Sequence, residues 1–335
     1  MLYMRLCHIF DISEILLNLH RYICIVMKRT FLLFFCILSI SALYAQPAGE
    51  NVLNLKIGTY NIWSEVARKG QIKKQNAAVT RSWEASRESV AELIVDLDCD
   101  IIAMQEVTIP CRDDLKKLVR KAGGRYGLWW INTYPETHKT PVGNAVFYKK
   151  KEFSFDQQRI LYFSPTPEVM SQGWDEGKYY RAALTAVVTH KKTGRKFFFI
   201  ATHGPLRPEA SANAGRILVE IDKKYNVEGL PSIVVGDMNA APDKPFYSTM
   251  CSYYEDAYVV AEKRCGTVGT FNSSGEREEN FVNPDRRIDH IYVHSTENGT
   301  MTVEYYEVNK DKYLINGAWH YPSDHNPVVA DILFR

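Results

Sequence analysis

Strong charge of either sign is missing from this chain. Its 41 Lys and Arg stand against 39 Asp and Glu, a formal net charge of +2. A protein that grips long nucleic acid through many phosphates normally carries a basic stripe. None is evident here, which counts against a dedicated duplex-DNA binder, although net charge leaves local patches open. Cysteine is scarce: beyond residue 45 only Cys99, Cys111, Cys251 and Cys265 remain. They are too few for a disulfide scaffold. No CxxC spacing occurs among them, which argues against a structural zinc site. Cys251 with Cys265 is the pair that spacing favours in an oxidising compartment. Repeats, low-complexity tracts and long Pro/Gly/Ser linkers are absent from 52–335, so that stretch reads as one domain.

No apolar run is long enough for a comfortable membrane span. The longest candidate, 31–40, follows Lys28 and Arg29 and ends in small residues up to Ala45. Charge, short apolar segment and small residue in that order form a signal peptide over 27–45. Met27 is then the expected start, 1–26 an upstream extension, and 46–335 the exported domain, periplasmic or extracellular. The competing reading is an N-terminal membrane anchor using both apolar stretches. Cys36 follows Phe34 and Phe35 and so lacks the small residues that precede a lipid-modified cysteine.

What is present is an ordinary globular composition, 46% hydrophobic and 24% charged. Short runs rich in Val, Ile, Phe and Tyr predict strands over 53–59, 101–105, 126–132, 144–148, 182–189, 196–202, 232–235, 287–294, 301–307 and 328–333. Helical spacing predicts helices over 80–97, 112–121 and 209–225, the first with Val90, Leu93, Ile94 and Leu97 on one face. Thr193–Gly194 sits where a tight hairpin would turn. Many strands with a few covering helices suggest two packed sheets flanked by helices.

Polar residues recur at the strand ends. Asn61 follows LKIGTY, Glu106 follows DIIAMQ, His203 follows KFFFIAT, and Asp237 and Asn239 follow SIVVG. Asp289 lies in RRIDHIYV, and Asp324 and His325 precede NPVVADILF. Taken singly, each has an ordinary explanation as a turn residue, a helix cap or a structural histidine. Taken together, acidic, amide and imidazole groups delivered to one rim supply oxygen ligands for a hard cation with a proton carrier beside it. Phosphoryl chemistry needs that combination.

TYN at 59–61, QE at 105–106, GDMN at 236–239, RIDHI at 287–291 and SDHNPV at 323–328 occur in this order. The set resembles the successive motifs of the endonuclease/exonuclease/phosphatase superfamily, over about residues 52–335. GDMN and SDHNPV are the specific members of the set. The resemblance implies a four-layer α/β/β/α sandwich of two mostly antiparallel sheets. It also implies Mg²⁺-dependent hydrolysis of a phosphate ester, with Mn²⁺ or Ca²⁺ as alternative ions. Glu106 would be the principal metal ligand, with Asn61 and Asp324 completing or supporting the metal and phosphate site. Asp237 would position or deprotonate the attacking water, and Asn239 would hold a phosphate oxygen. His325 would act as acid/base or phosphate donor, oriented by Asp289. His203 matches the second histidine, although ATHGP departs from the usual Asn-Thr-His-Leu-Asp and lacks its carboxylate. Arg181, in YYRAAL, is either phosphate-facing or a surface cation.

Other candidates have plainer readings. His290 should face away from Asp289's side of its strand. His320 is close in sequence to the site. Trp129, Trp130, Trp174, Tyr179 and Tyr180 form either an aromatic rim or part of the core. The substrate stays open among nucleic acid, a lipid headgroup and a sugar phosphate, acted on by a monomer with no obligate protein partner. Val235 before the Gly-Asp motif and NPDRRIDHI depart from the inositol-polyphosphate phosphatase pattern. A sphingomyelinase-like lipid phosphodiesterase would need an apolar hairpin, for which 305–319 is the one candidate stretch. A binding protein that kept the fold and lost catalysis would be expected to have lost Glu106, Asp237, Asn239 or His325, all of which are present.

Overall fold

A strand covered on both faces has no polar side to show, so it reads as a near-continuous apolar run. Ala182–His190, Lys196–His203 and Ser232–Asp237 read that way, and in the computed structural model they lie side by side in one sheet, buried almost throughout. The structure describes residues 52–75, 81–139, 141–175 and 179–335, without the side chains of 71–75. The expected upstream extension 1–26 and signal peptide 27–45 lie outside the described residues, as does Thr80 at the start of the first expected helix.

The chain begins β1 (Leu53–Asn61), α1 (Glu65–Gln75), α2 (Trp83–Leu97), β2 (Ile101–Thr108), α3 (Ile109–Lys121), β3 (Gly127–Asn132) and β4 (Val142–Tyr148). It continues β5 (Phe153–Tyr162), β6 (Ala182–His190), β7 (Lys196–His203), α4 (Pro208–Tyr225), β8 (Ser232–Asp237), α5 (Pro245–Cys251), β9 (Glu255–Asp256) and α6 (Ala257–Val260). It closes with β10 (Lys263–Cys265), β11 (Asp289–His294), β12 (Met301–Val308), β13 (Tyr313–Ile315), β14 (Ala318–His320) and β15 (Val328–Phe334). One sheet has the order β10-β12-β15-β1-β2-β4-β3 and the other β5-β6-β7-β8-β11-β9. Neighbours run antiparallel except β1/β2, β10/β12 and β7/β8.

The alternation of side chains builds three apolar layers. Leu55, Ile57, Ile101 and Ala103 from the first sheet meet Phe197, Phe199, Val235 and Ile291 from the second. The opposite faces of the same strands, such as Ile102 and Met104, pack under α2 and α3 through Val90, Leu93, Ile94 and Leu115. Phe198, Ile200 and Val234 pack under α4 and α5 through Ile217, Leu218, Ile221 and Phe246. Two mostly antiparallel sheets with helices outside them make the expected four-layer α/β/β/α sandwich. Each fully buried Leu, Ile or Phe contributes roughly 1.5–3 kcal/mol.

Sheet pairing then gathers the polar strand ends. Parallel pairing of β1 with β2 sets Asn61 beside Gln105, and parallel pairing of β7 with β8 sets His203 beside Asp237. Antiparallel β11 starts where β8 ends, with Asp289 opposite Asp237. Strand β15 starts beside the end of β1, with Val328 opposite Thr59.

Some elements differ from expectation. Strand β5 (FSFDQQRILY) shows four successive exposed residues and a register shift between Asp156 and Arg159, so its alternation is broken. The β13/β14 hairpin turns on Asn316 and Gly317, both at positive φ, and leaves Leu314 and Trp319 exposed opposite each other. Cys251 and Cys265 are free and exposed, not a bridged pair. The Cys251 thiol lies by the Tyr247 hydroxyl and that of Cys265 by the Tyr305 hydroxyl, on different elements of the fold. Among the described residues no helix is long and apolar enough to cross a membrane.

Candidate active site

The end of β8 is the centre of the site. Gly236 permits it: a Cβ there would lie 2.1 Å from the Thr202 carbonyl oxygen on β7. Asp237 follows, buried, with three side chains converging on its Oδ2. Asn61 Nδ2 donates to that oxygen at 2.9 Å, His203 Nε2 stands 3.3 Å away and His325 Nε2 3.8 Å away. Its Oδ1 accepts the Asn239 backbone N–H at 2.9 Å. Asn239 takes up φ 50, a left-handed conformation that Asn tolerates better than most residues. Its Nδ2 spends one proton on the Gly204 carbonyl at 3.0 Å. Gly204 itself has a local cause, since a Cβ there would meet the Met238 carbonyl oxygen at 2.3 Å. A larger residue after His203, as in the usual family pattern, has no room.

His325 joins the two sheets. Its Nδ1 is 2.8 Å from Asp289 Oδ2, which also accepts the Thr270 hydroxyl at 2.6 Å. The Phe271 ring covers the imidazole at 4.9 Å between centroids. Burial alone would lower the His325 pKa, but the Asp289 and Asp237 carboxylates outweigh it and raise it to about 10. Burial also opposes ionisation of Asp237, yet His325, His203 and the Asn61 hydrogen bond hold its carboxyl well below the usual range. His203 goes the other way: burial and the nearby Arg181 cation lower it, against the pull of Asp237. At neutral pH one imidazolium and one neutral imidazole therefore stand beside the Asp237 carboxylate.

Glu106 sits in a register shift of β2 against β4 between Met104 and Val107, at φ 61. Both the backbone N–H and the hydroxyl of Ser64 donate to its Oε2 at 3.1 Å. Its other oxygen has no partner among the described residues. Asp324 is buried at the end of the turn before β15, with one weak bond from Ser323 at 3.4 Å. Burial, with Glu106 adding to it, pushes the Asp324 carboxyl up to about 6 despite His325, Arg68 and Arg81. Two carboxylates that repel each other and keep unengaged oxygens are the donor set a hard cation takes.

Three metal-capable groups also cluster at Asp237, Asp289 and His325, with ligand atoms within 4.8 Å of one another. There the protonated His325 already stands between the two acids and offsets part of their charge. The Glu106–Asp324 edge fits a divalent ion better. Asn61 is less open than expected: its Oδ1 accepts the Trp63 N–H at 3.0 Å while its Nδ2 serves Asp237.

The remaining candidates divide. Arg181 faces a narrow recess of about 10 Å³, room for roughly one water, lined by Tyr134, Asn144, Tyr180 and His203. Its buried Nε has no partner, and its guanidinium lies 4.7 Å from the Tyr179 ring centre. Tyr180 lines that recess against Tyr134, whereas Trp129 is buried in the inter-sheet core and Trp174 packs in the layer under α4 and α5. Trp130 donates to the Val107 carbonyl at 3.0 Å. His290 turns away from the site, between the Ala240 carbonyl at 2.9 Å and Arg287 at 3.2 Å. His320 pairs with Glu276 at 3.0 Å. Sequence reasoning missed Ser64, Thr270 and the buried Arg68 and Arg81, and gave Ser323 no role although it opens SDHNPV. Of the missed residues, Ser64, three residues past a strand end, carried a local signal.

Comparison with known proteins agrees with this geometry. The chain is 24% identical to Nocturnin of Drosophila melanogaster over 323 residues, covering 84% of this chain and 45% of the fly protein. An endonuclease/exonuclease/phosphatase family protein of Bacteroides thetaiotaomicron superposes with a TM-score of 0.72 at 24% identity, over 85% of this chain and 100% of that one. The mannosyl-6-phosphatase of Bacteroides thetaiotaomicron superposes with a TM-score of 0.69 at 25% identity, over 83% of this chain and 99% of that one. The sequence profile of the Endonuclease/Exonuclease/phosphatase family matches residues 58–325. With that match over most of its length and a rim of converging acids and histidines, the chain belongs to this family of phosphoesterase hydrolases.

Proposed function

We propose that this chain is an exported, Mg²⁺-dependent phosphoesterase that hydrolyses a small phosphate ester, of the sugar-phosphate kind, by in-line attack of water. The observation that carries the reading is the shared Asp237 carboxylate, met by Asn61, His203 and His325 and kept ionised by them. Glu106 and Asp324 would hold the ion, which would withdraw charge from the phosphoryl oxygens. Asp237 is placed to take a proton from a water whose oxygen bonds to phosphorus as the bond to the leaving oxygen breaks. His325, already protonated, can donate to the oxygen on which charge builds. Arg181 and His203 border the recess beside it and suit the ester's anionic end.

The near-neutral charge and the likeness to a mannosyl-6-phosphatase support a small substrate. The exposed Leu314 and Trp319 favour a second reading, a lipid phosphodiesterase. The test is a panel of sugar phosphates, p-nitrophenyl phosphate, bis(p-nitrophenyl) phosphate, RNA, DNA and sphingomyelin with Mg²⁺, Mn²⁺ or Ca²⁺. Sugar-phosphate turnover above the rest is expected, abolished by EDTA. Glu106→Ala should lose nearly all of it. No metal-dependent turnover on any member would sink the reading, and wild-type turnover in Glu106→Ala would remove Glu106 from the metal site.

A further inference from the structure

Arg68 is wholly buried in α1, and all five of its N–H donors are spent. Nε donates to the Trp63 carbonyl at 2.6 Å, and one terminal nitrogen donates to the carbonyls of Ile62 at 3.1 Å and Pro322 at 2.7 Å. The other donates to the Arg81 carbonyl at 2.7 Å and the Ser86 hydroxyl at 3.0 Å. None of these partners is a carboxylate. Its guanidinium lies 4.4 Å from the Trp63 ring centre, and that of Arg81 lies 5.0 Å from it.

Of the segments it joins, one holds Glu106 and the other carries Asp324. Ile62 and Trp63 lead directly into Ser64, which holds Glu106 by two hydrogen bonds. Pro322 leads into Ser323 and Asp324, and the Ser323 hydroxyl donates to the Asn61 carbonyl at 2.7 Å. Resting on the metal-site reading above, we propose that Arg68 is a positioning residue that fixes the separation of the Glu106 and Asp324 carboxylates by pinning the exit of β1 to the turn before β15. A planar fork fixes the directions of several carbonyls at once, which a lysine ammonium with three donors on one atom does not. An apolar side chain would fill the space and aim nothing.

The test is direct Mn²⁺ binding, by paramagnetic resonance or calorimetry, to the wild-type protein and Arg68→Lys, alongside thermal melts and steady-state kinetics on the preferred ester. The variant should melt cooperatively and keep KM within about twofold, while Mn²⁺ affinity falls by ~10-fold or more, the scale seen when groups that orient metal ligands are lost. The Mg²⁺ concentration for half-maximal rate should rise in step. A folded variant with wild-type Mn²⁺ affinity overturns the proposal. If Arg68→Lys does not fold, Arg68→Gln is measured in the same way; failure of both to fold assigns Arg68 to global stability and overturns it equally. A wild-type protein that binds no Mn²⁺ would instead remove the metal-site reading on which the proposal stands.

Discussion

Because His203 and His325 lie 3.3 Å and 3.8 Å from the same carboxylate oxygen, their proton states depend on what else each one meets. His325 has a second acid, Asp289, and stays charged; His203 has Arg181 nearby and stays neutral. His290, one residue past Asp289, shows the structural alternative. Burial, with Arg287 beside it, lowers its pKa from 6.5 to about 4. A histidine neutral in the fold and protonated once unfolded stabilises the protein above pH 6.5, and that contribution is lost as the pH falls towards 4. A shift of this size corresponds to roughly 3 kcal/mol. Urea unfolding at pH 7 and pH 5 should therefore show a steeper loss of stability for the wild-type than for His290→Gln. Equal losses would mean that His290 is not held neutral. At this scale Asn61, Glu106, His203, Asp237, Asp289 and His325 were legible, since a polar group bordering an apolar run is a local pattern. Arg68 and Arg81 were not, because nothing in a sequence separates a buried arginine fed by distant carbonyls from a solvated one.

The close approach of β7 and β8 at Gly236 decides how near His203 comes to Asp237. Gly236→Ala would put a methyl group against the Thr202 carbonyl and force the two strands apart. Overpacking of this kind costs about 1–3 kcal/mol, with roughly 2–4 °C of Tm for each kcal/mol. A lowered melting temperature together with a fall in kcat is the expected result; an unchanged melt would show that the strands yield freely there. Elements were readable where their pattern was uniform, as in α2, whose buried face is Val90, Leu93, Ile94 and Leu97. Strand β5 escaped notice because its middle is polar, exposed and out of register. Helix α1 escaped because EVARKGQIKKQ carries a glycine and few apolar residues; Arg68 ties it to the Pro322 carbonyl, a contact that no sequence pattern marks.

For the molecule as a whole, the exported reading is separable from the fold. Expressed from Met27 in a bacterial host, the protein should be recovered outside the cytoplasm with Gln46 as its first residue, as intact-mass measurement of the product would show. Replacing Lys28 and Arg29 with Glu should keep it inside; export unaffected by that change would count against 27–45 as the signal.

Strand β15 lies between β1 and β12, flanked by them on both sides although it follows both in the sequence. Asp324 and His325 immediately precede it. A nascent chain therefore has a gap in the middle of one sheet until β15 arrives, and neither the acid nor the imidazolium can reach its partners before then. Hydrolysis has to wait for that strand, so a product truncated ahead of β15 should be silent rather than partly active.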